Sequence, residues 1–280
     1  MIQRFFQTST ILWFLIFPSL AMSIDYSPWL GEMLVFDWRN TLLYQNYSEI
    51  DSDNHLKNDS ANDLFLTTSL STSVLDFGLQ IEATQAFTHR QQGSLDNLGA
   101  TLKYVYWDDV AGDPFSITLG LSLIQAFRWS VHDISAFHHG KAESELFVSV
   151  GKETACLDEW TYRWSSTAAL GLADVGSPWL RFNWEYEYKW PEEDVWKVFC
   201  HTLFGLGDKS LNQYHFNGYG AVEHQSVDLG VSYTYLSNYL GKICFHYSRR
   251  LYAKNFPANT NLFLIEIFYD FGVDRLSIFK

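Results

Sequence analysis

Long apolar runs are almost absent from this chain of 280 residues. A helix needs about 20 consecutive apolar residues to cross a membrane, so a helical membrane protein is excluded. One shorter apolar run, residues 11–17, follows Arg4 and precedes Pro18 and the small residues Ala21 and Ser23. A basic start, a short apolar core and a small-residue exit predict a secretory signal peptide over residues 1–23.

Basic residues are also scarce. The chain has 19 Lys and Arg against 32 Asp and Glu, which gives a net charge of −13. Proteins bind nucleic acids largely through Lys and Arg that neutralise phosphates. We therefore expect no nucleic-acid partner.

Cysteine is limited to Cys156, Cys200 and Cys244, an odd number that leaves at least one thiol unpaired in an exported monomer. Their spacing matches no zinc or redox motif, so we interpret them as small strand side chains. The pair His138-His139 is interpreted as part of a solvated loop. No glycine-rich phosphate motif is present. The sequence thus predicts no metal, no cofactor and no catalytic residue.

Two-residue alternation is what the chain has in abundance. In residues 75–88, apolar Leu75, Phe77, Leu79 and Ile81 alternate with polar side chains, so a strand there has one apolar and one polar face. Similar runs occupy residues 115–123, 227–235 and 263–271. Less regular candidate strands are 34–47, 63–73, 97–107, 142–151, 161–173, 179–190, 195–206, 212–222 and 240–252. Many match the roughly 9–11 residues that a tilted strand needs to cross a bilayer.

The chemistry of the two faces favours a membrane barrel over a soluble β-sandwich. The polar faces are rich in Ser, Thr, Gly and Gln, whereas a solvated sheet face carries abundant charge. Aromatic residues border the apolar faces, as in the girdles of transmembrane barrels. They are Tyr104, Tyr106, Trp107, Phe127, Trp129, Trp160, Tyr162, Trp164, Trp179, Trp184, Tyr186, Tyr188 and Trp190. We predict an all-β fold: one closed, antiparallel, up-and-down transmembrane barrel over residues 24–280.

The expected strand number is twelve, with ten or fourteen as alternatives. An even number follows if both termini lie on the same side. One of the thirteen candidates is then false, and the stretch 212–236 is suspect because its alternation slips at residues 223–226. Compact turns are predicted at 108–114 and 191–194, and longer polar loops at 48–62 and 129–141.

Over residues 30–271 this pattern resembles the outer-membrane β-barrels of Gram-negative bacteria, although no individual family can be assigned. Those proteins commonly end in an amphipathic strand with a terminal aromatic residue. Here the run from Phe263 to Phe271 fits, but nine residues follow it. The resemblance implies an outer-membrane location, with membrane lipid around the barrel.

Charged residues on the polar faces are predicted to line the lumen. Residues two apart on a strand share a face, so the run 179–190 forms a charged ladder. The candidates are Asp37, Arg39, Glu82, Lys103, Arg128, Glu143, Glu145, Arg181, Glu185, Glu187, Lys189, Arg250 and Glu266. Such charges either surround a path for small hydrophilic solutes, as in a porin, or pair across a narrow lumen and fill it. The sequence favours the porin-like channel, with a pore-less structural or surface-interaction barrel as the alternative.

An enzyme is a distant third hypothesis. The segment His246-Tyr247-Ser248 is similar to the His-x-Ser element of outer-membrane lipid hydrolases, but Arg249 stands where that element has Asn. The alternation also directs Phe245 and Tyr247 to the lipid and His246 and Ser248 to the lumen, away from acyl chains. We therefore expect no enzymatic activity.

Overall fold

The computed structural model describes residues 24–52, 55–156, 159–190, 194–237 and 241–272. The predicted signal peptide and residues 273–280 lie outside this range. Most of the described chain is β-strand. One helical turn, α1 (Arg128–Val131), and two 3-10 turns, Ile134–Ala136 and Gln213–His215, lie in the connections. Among the described residues, no helix has the length and apolar character needed to cross a membrane.

Twelve long strands and one strand of two residues follow each other along the chain. The short strand, β12, lies in the connection that precedes the last strand. In order, the strands are β1 (Val35–Ser52), β2 (His55–Val74), β3 (Phe77–Phe87), β4 (Gln92–Trp107), β5 (Ser116–Ala126), β6 (Ala142–Cys156), β7 (Glu159–Ala173), β8 (Trp179–Lys189), β9 (Val195–Gly205), β10 (Gln225–Ser237), β11 (Gly241–Lys254), β12 (Pro257–Ala258) and β13 (Asn261–Gly272).

The twelve long strands close into an antiparallel barrel. Sequential neighbours pair throughout, and β1 pairs both with β2 and with β13, from Val35 opposite Gly272 to Asn46 opposite Asn261. Closure satisfies the backbone donors and acceptors that lipid could not. The predicted fold class and strand number are confirmed.

Two of the predicted segments differ in the structure. Residues 212–222 form no strand but part of the long connection 206–224, so this is the false candidate within the suspect stretch. The predicted loop over 48–62 is wrong, because β1 continues to Ser52 and β2 starts at His55. The pairing of Ile50 with Lys57 and of Asp51 with Leu56 extends the ladder there. Residues 55–60 of that segment are exposed at the barrel rim, which accounts for their polar composition without an irregular backbone.

The apolar faces of the strands point outward. On β3, Leu79 and Ile81 are 50% and 60% exposed, whereas Gln80, Glu82 and Thr84 are buried inside. In a water-soluble protein this distribution would be reversed, since burial of apolar surface drives folding. Apolar side chains outside and polar ones inside are the arrangement of a barrel that is surrounded by lipid.

Most of the predicted aromatic girdle is also exposed on the outer surface, including Tyr106, Trp129 and Trp190. Two members are exceptions: Trp160 lines the interior of the barrel, and Trp179 has an exposed fraction of only 2%. Trp179 has the same parity as Arg181 and Glu185 on β8, so its side chain points into the lumen. The assignment of these two residues to the girdle is therefore wrong.

The two ends of the barrel differ in the length of their connections. On the side of the chain termini, the described connections include the two-residue turn 75–76, and 108–115 is the longest fully described one. On the opposite side lie the long connections 127–141 and 206–224. Outer-membrane barrels have short periplasmic turns and longer extracellular loops, so this asymmetry matches their orientation.

Candidate functional site: the barrel lumen

The N-terminal segment, residues 24–34, lies against one wall of the lumen with residues 24–30 and is exposed at the barrel rim with residues 31–34. Asp25 forms an ion pair of 3.0 Å with Lys103 on β4, and the carbonyl of Pro28 accepts a hydrogen bond from Thr118 on β5. The Tyr26 hydroxyl donates to Glu145 on β6. This segment therefore fills the half of the lumen nearest β4–β6.

An apolar cap closes the opposite end. It is formed by the connections 127–141, 206–224 and 255–260 over the end of β1. Its buried members include Tyr47, Ile50, Ile134, Leu211, Phe216, Tyr219, Val222 and Phe256. Tyr219 lies at its centre: its hydroxyl donates to the carbonyl of Ile134 at 3.0 Å, and its ring lies 4.9 Å from that of Phe256.

Histidines lie beneath the cap instead of in a solvated loop, so that interpretation of His138-His139 is wrong. Their exposed fractions are 0% and 4%. His138 contacts Asp96 at 2.9 Å and Glu143 at 3.4 Å. Burial disfavours the imidazolium, but the two carboxylates outweigh it and raise the pKa of His138 to about 10. His138 is therefore positively charged within the folded protein.

His139 and His224 form a second buried pair, with their Nε2 atoms 3.2 Å apart. Burial and the neighbouring His139 lower the pKa of His224 to about 3, so His224 is neutral. Its Nδ1 donates to the carbonyl of Val222 at 2.9 Å, which leaves Nε2 to accept a hydrogen bond from His139. His139 in turn stacks on Trp179, with ring centroids 3.7 Å apart.

Between the N-terminal segment and the cap lies a cavity of about 820 Å³. Its wall includes inward side chains of β8–β11, β13 and β1, and it extends from Lys189 and Lys242 near the terminal side to Ser135 and His139 under the cap. The structure brings ten of the thirteen predicted lumen residues together on this wall: Asp37, Arg39, Glu143, Glu145, Arg181, Glu185, Glu187, Lys189, Arg250 and Glu266.

The other three predicted residues lie elsewhere. Glu82 and Lys103 point inward and are buried on the side of the N-terminal segment. Arg128 lies in α1, in the connection 127–141, and is exposed. Its assignment to the lumen is wrong, because Arg128 follows the end of β5 and is no longer subject to strand alternation.

Sequence reasoning missed several lumen residues, among them Arg163, Lys197, Asp228 and Cys244, whereas it interpreted His201 as an ordinary lumen or boundary residue. A signal for Lys197 and His201 was present, since Trp196 and Val198 alternate with them and face outward. The alternation of residues 227–235 and 240–252 also places Asp228 and Cys244 on the face opposite the apolar side chains.

Most of these charges meet partners on the same wall. Lys197 contacts Glu185 at 2.7 Å and Glu187 at 3.1 Å, and Glu187 also contacts Arg163 at 2.8 Å. Because β7, β8 and β9 are neighbours, these ion pairs run along the wall. The charges thus cancel locally without bridging the lumen.

Further pairs follow the same pattern. Arg181 contacts Glu145 at 3.3 Å, and Arg250 makes two hydrogen bonds to Asp228 on the neighbouring strand, at 2.7 and 2.9 Å. Two-point Arg–carboxylate contacts have fixed geometry and are stronger than single ones. The wall is therefore both mixed in sign and rigid.

No protein-family model and no curated protein matches the chain. Solved structures do. An outer membrane channel from Pseudomonas putida F1 matches with a TM-score of 0.62 at 8% identity, over 90% of this chain and 100% of that one. The chain has the fold of outer-membrane β-barrel proteins. A second outer-membrane barrel, the NanC porin, matches with a TM-score of 0.54 at 8% identity, over 83% of this chain and 98% of that one.

Proposed function

We propose that this outer-membrane barrel is a channel for small hydrophilic solutes, with the mixed-charge cavity as its permeation path. The observation that carries the proposal is the cavity of about 820 Å³ beside ion pairs that run along the wall. In a barrel whose lumen is filled by its own side chains, those charges would instead form ion pairs across the lumen. Charged rings around a water-filled path select solutes by charge and size.

The outward apolar belt supports a location in the outer membrane, reached after removal of the predicted signal peptide. The lengths of the connections favour a periplasmic location for the termini. In that orientation the N-terminal segment enters from the periplasm, and the apolar cap faces the exterior. Solutes would pass between the segment and the wall of β8–β11.

A pore-less barrel is the second candidate, and the apolar cap favours it. Tyr219 and Leu211 are almost completely buried there, so the cap is tightly packed around them. The two candidates differ in whether solutes cross the cap. We infer no enzymatic role. Nε2 of His246 faces Cys244 and Glu266 and does not face Ser248, and Ser248 is not exposed to lipid.

The test is the single-channel conductance of residues 24–280, refolded and inserted in a planar bilayer. Under a KCl gradient, R181A should shift the reversal potential towards cation preference, because it removes a positive charge from the wall. E187Q should shift it the other way. R128A provides the matched control, since it removes the same charge from an exposed site outside the lumen.

Stable current steps, with opposite shifts for R181A and E187Q and no shift for R128A, support a channel through the described cavity. Current steps whose reversal potential is unchanged in R181A and E187Q would mean that the permeation path lies elsewhere. An inserted barrel without current would overturn the channel and favour the pore-less role.

A further inference from the structure

We propose that Cys244, His246 and Glu266 form a site for a zinc-class divalent cation on the lumen wall. The cysteine spacing matches no zinc motif and predicted no metal there, but the barrel brings in a third ligand from another strand. Cys244 and His246 are two apart on β11 and therefore share its inward face. Glu266 on β13 is directly paired with Cys244 in the barrel register.

The distances between the donor atoms suit a small ion. Cys244 Sγ lies 3.2 Å from His246 Nε2, which lies 3.1 Å from Glu266 Oε2, and the three atoms all lie within 4.8 Å of one another. Tetrahedral zinc with its usual bond lengths separates sulfur, nitrogen and oxygen ligands by roughly 3.4–3.6 Å. The sulfur–nitrogen and nitrogen–oxygen separations are a few tenths of an ångström shorter than this, so small shifts of the His246 side chain would bring both into range.

The donor types select the metal. A thiolate and an imidazole favour zinc and similar soft or borderline ions over calcium and magnesium, which prefer oxygen ligands. Three protein ligands leave a fourth position for water or an exchangeable ligand. Since all three residues line the cavity, that position faces a space through which an ion can arrive.

Neighbouring hydroxyl groups hold two of the three ligands. Thr41 donates to Glu266 Oε1 at 3.2 Å, which leaves Oε2 directed towards His246. Thr234 Oγ1 lies 3.0 Å from Cys244 Sγ. Contacts of this kind orient metal ligands and affect affinity.

Nearby positive charge limits the affinity. Arg39 and Lys197 both interact electrostatically with Glu266, and a bound cation would compete with them. A site with three ligands and this opposition should bind in the micromolar range, weaker than a four-cysteine structural site.

The test uses refolded residues 24–280 in detergent micelles, titrated with Zn²⁺ by calorimetry and with Co²⁺ by absorption spectroscopy. We expect one Zn²⁺ per chain and a sulfur-to-cobalt charge-transfer band. C244S should abolish that band, and H246N and E266Q should each weaken Zn²⁺ binding by roughly tenfold or more.

C200S and H201N are the matched controls, because they remove another strand cysteine and another lumen histidine and should change nothing. Retained heat-modifiable mobility on gels verifies that each variant is folded. Absence of binding, or binding that C244S and E266Q leave unchanged, would overturn the site and leave the three residues as a hydrogen-bonded cluster. This measurement requires no current through the barrel, so its result is independent of the proposed channel.

Discussion

Tyr26 and Glu145 are 119 positions apart in the chain, yet the Tyr26 hydroxyl donates a hydrogen bond to the Glu145 carboxylate inside the lumen. Glu145 also accepts from Trp179 Nε1 at 2.9 Å and Arg181 Nε at 3.3 Å. One carboxylate therefore connects the N-terminal segment, β6 and β8. This contact is one of those that hold the segment in the lumen, beside Asp25–Lys103 and Pro28–Thr118.

Replacing the Tyr26 hydroxyl should weaken the barrel. Hydrogen bonds to charged groups contribute about 1.5–3 kcal/mol, so Y26F should lower the free energy of unfolding by that amount. The measurement is urea unfolding in micelles, followed by tryptophan fluorescence. Y214F is the control, since Tyr214 is 90% exposed and its change should have no effect. Equal stability of Y26F and the wild type would mean that the segment is held by its other contacts.

Stability should fall in acid because of His224. Its pKa is about 3 in the folded protein and about 6.5 when unfolded, so the unfolded chain binds the proton more tightly. The contribution of His224 to the free energy of unfolding is thus constant above pH 6.5 and decreases as the pH falls from 6.5 towards 3. Protonation of His224 is disfavoured because it would place a positive charge near His139, Arg181 and Arg250.

H224F removes this titration while keeping a ring that can stack on Phe256. Buried carboxylates also lose stability in acid, so the prediction concerns the difference between wild type and variant. His138 adds no slope below pH 6.5, since it is protonated in both states there. Between pH 7 and pH 4, the urea midpoint should decline less steeply for H224F than for the wild type. The midpoint of H215N should decline as steeply as that of the wild type. Parallel curves for H224F and wild type would contradict the prediction.

Gly171 should tolerate no side chain. It pairs with Trp179 across β7 and β8, and a Cβ at this position would overlap the indole. G171A would displace Trp179 from Glu145 and from His139, at a cost of about 1–3 kcal/mol. G31A is the control, because nothing lies within 4 Å of a Cβ there. The urea midpoints of the two variants should differ accordingly.

The lipid-facing surface makes Ile81, at the centre of β3, sensitive to charge. I81R should destabilise the inserted barrel by about 2–4 kcal/mol, as expected for Arg near the bilayer midplane. V110R adds the same charge to an exposed residue of the turn 108–115 and should be tolerated. Refolding into lipid vesicles at graded urea concentrations measures both. A neutral I81R would mean that this face is not in lipid.

Strand alternation predicted the barrel and most of its lumen charges, because parity alone sets inside and outside. The strand number came from the requirement for an even number, which reduced thirteen candidates to twelve. The parity of β8 also placed Trp179 inside, although its aromatic character suggested the girdle. The cap could not be predicted: Ile134, Leu211 and Phe256 come from three irregular connections and meet only in the closed barrel. The cluster of Cys244, His246 and Glu266 likewise depends on the register between β11 and β13.

The pairing of β1 with β13 joins the first strand of the chain to the last. The ring of hydrogen bonds is therefore incomplete until β13 pairs with β1, however early β1 forms. Contacts so distant in sequence are slow to form, and until then β1 has an unpaired edge open to aggregation. Since residues 24–30 lie inside the finished barrel, its wall also surrounds them. The pairing of β1 with β13 consequently completes both the wall of the barrel and the enclosure of residues 24–30.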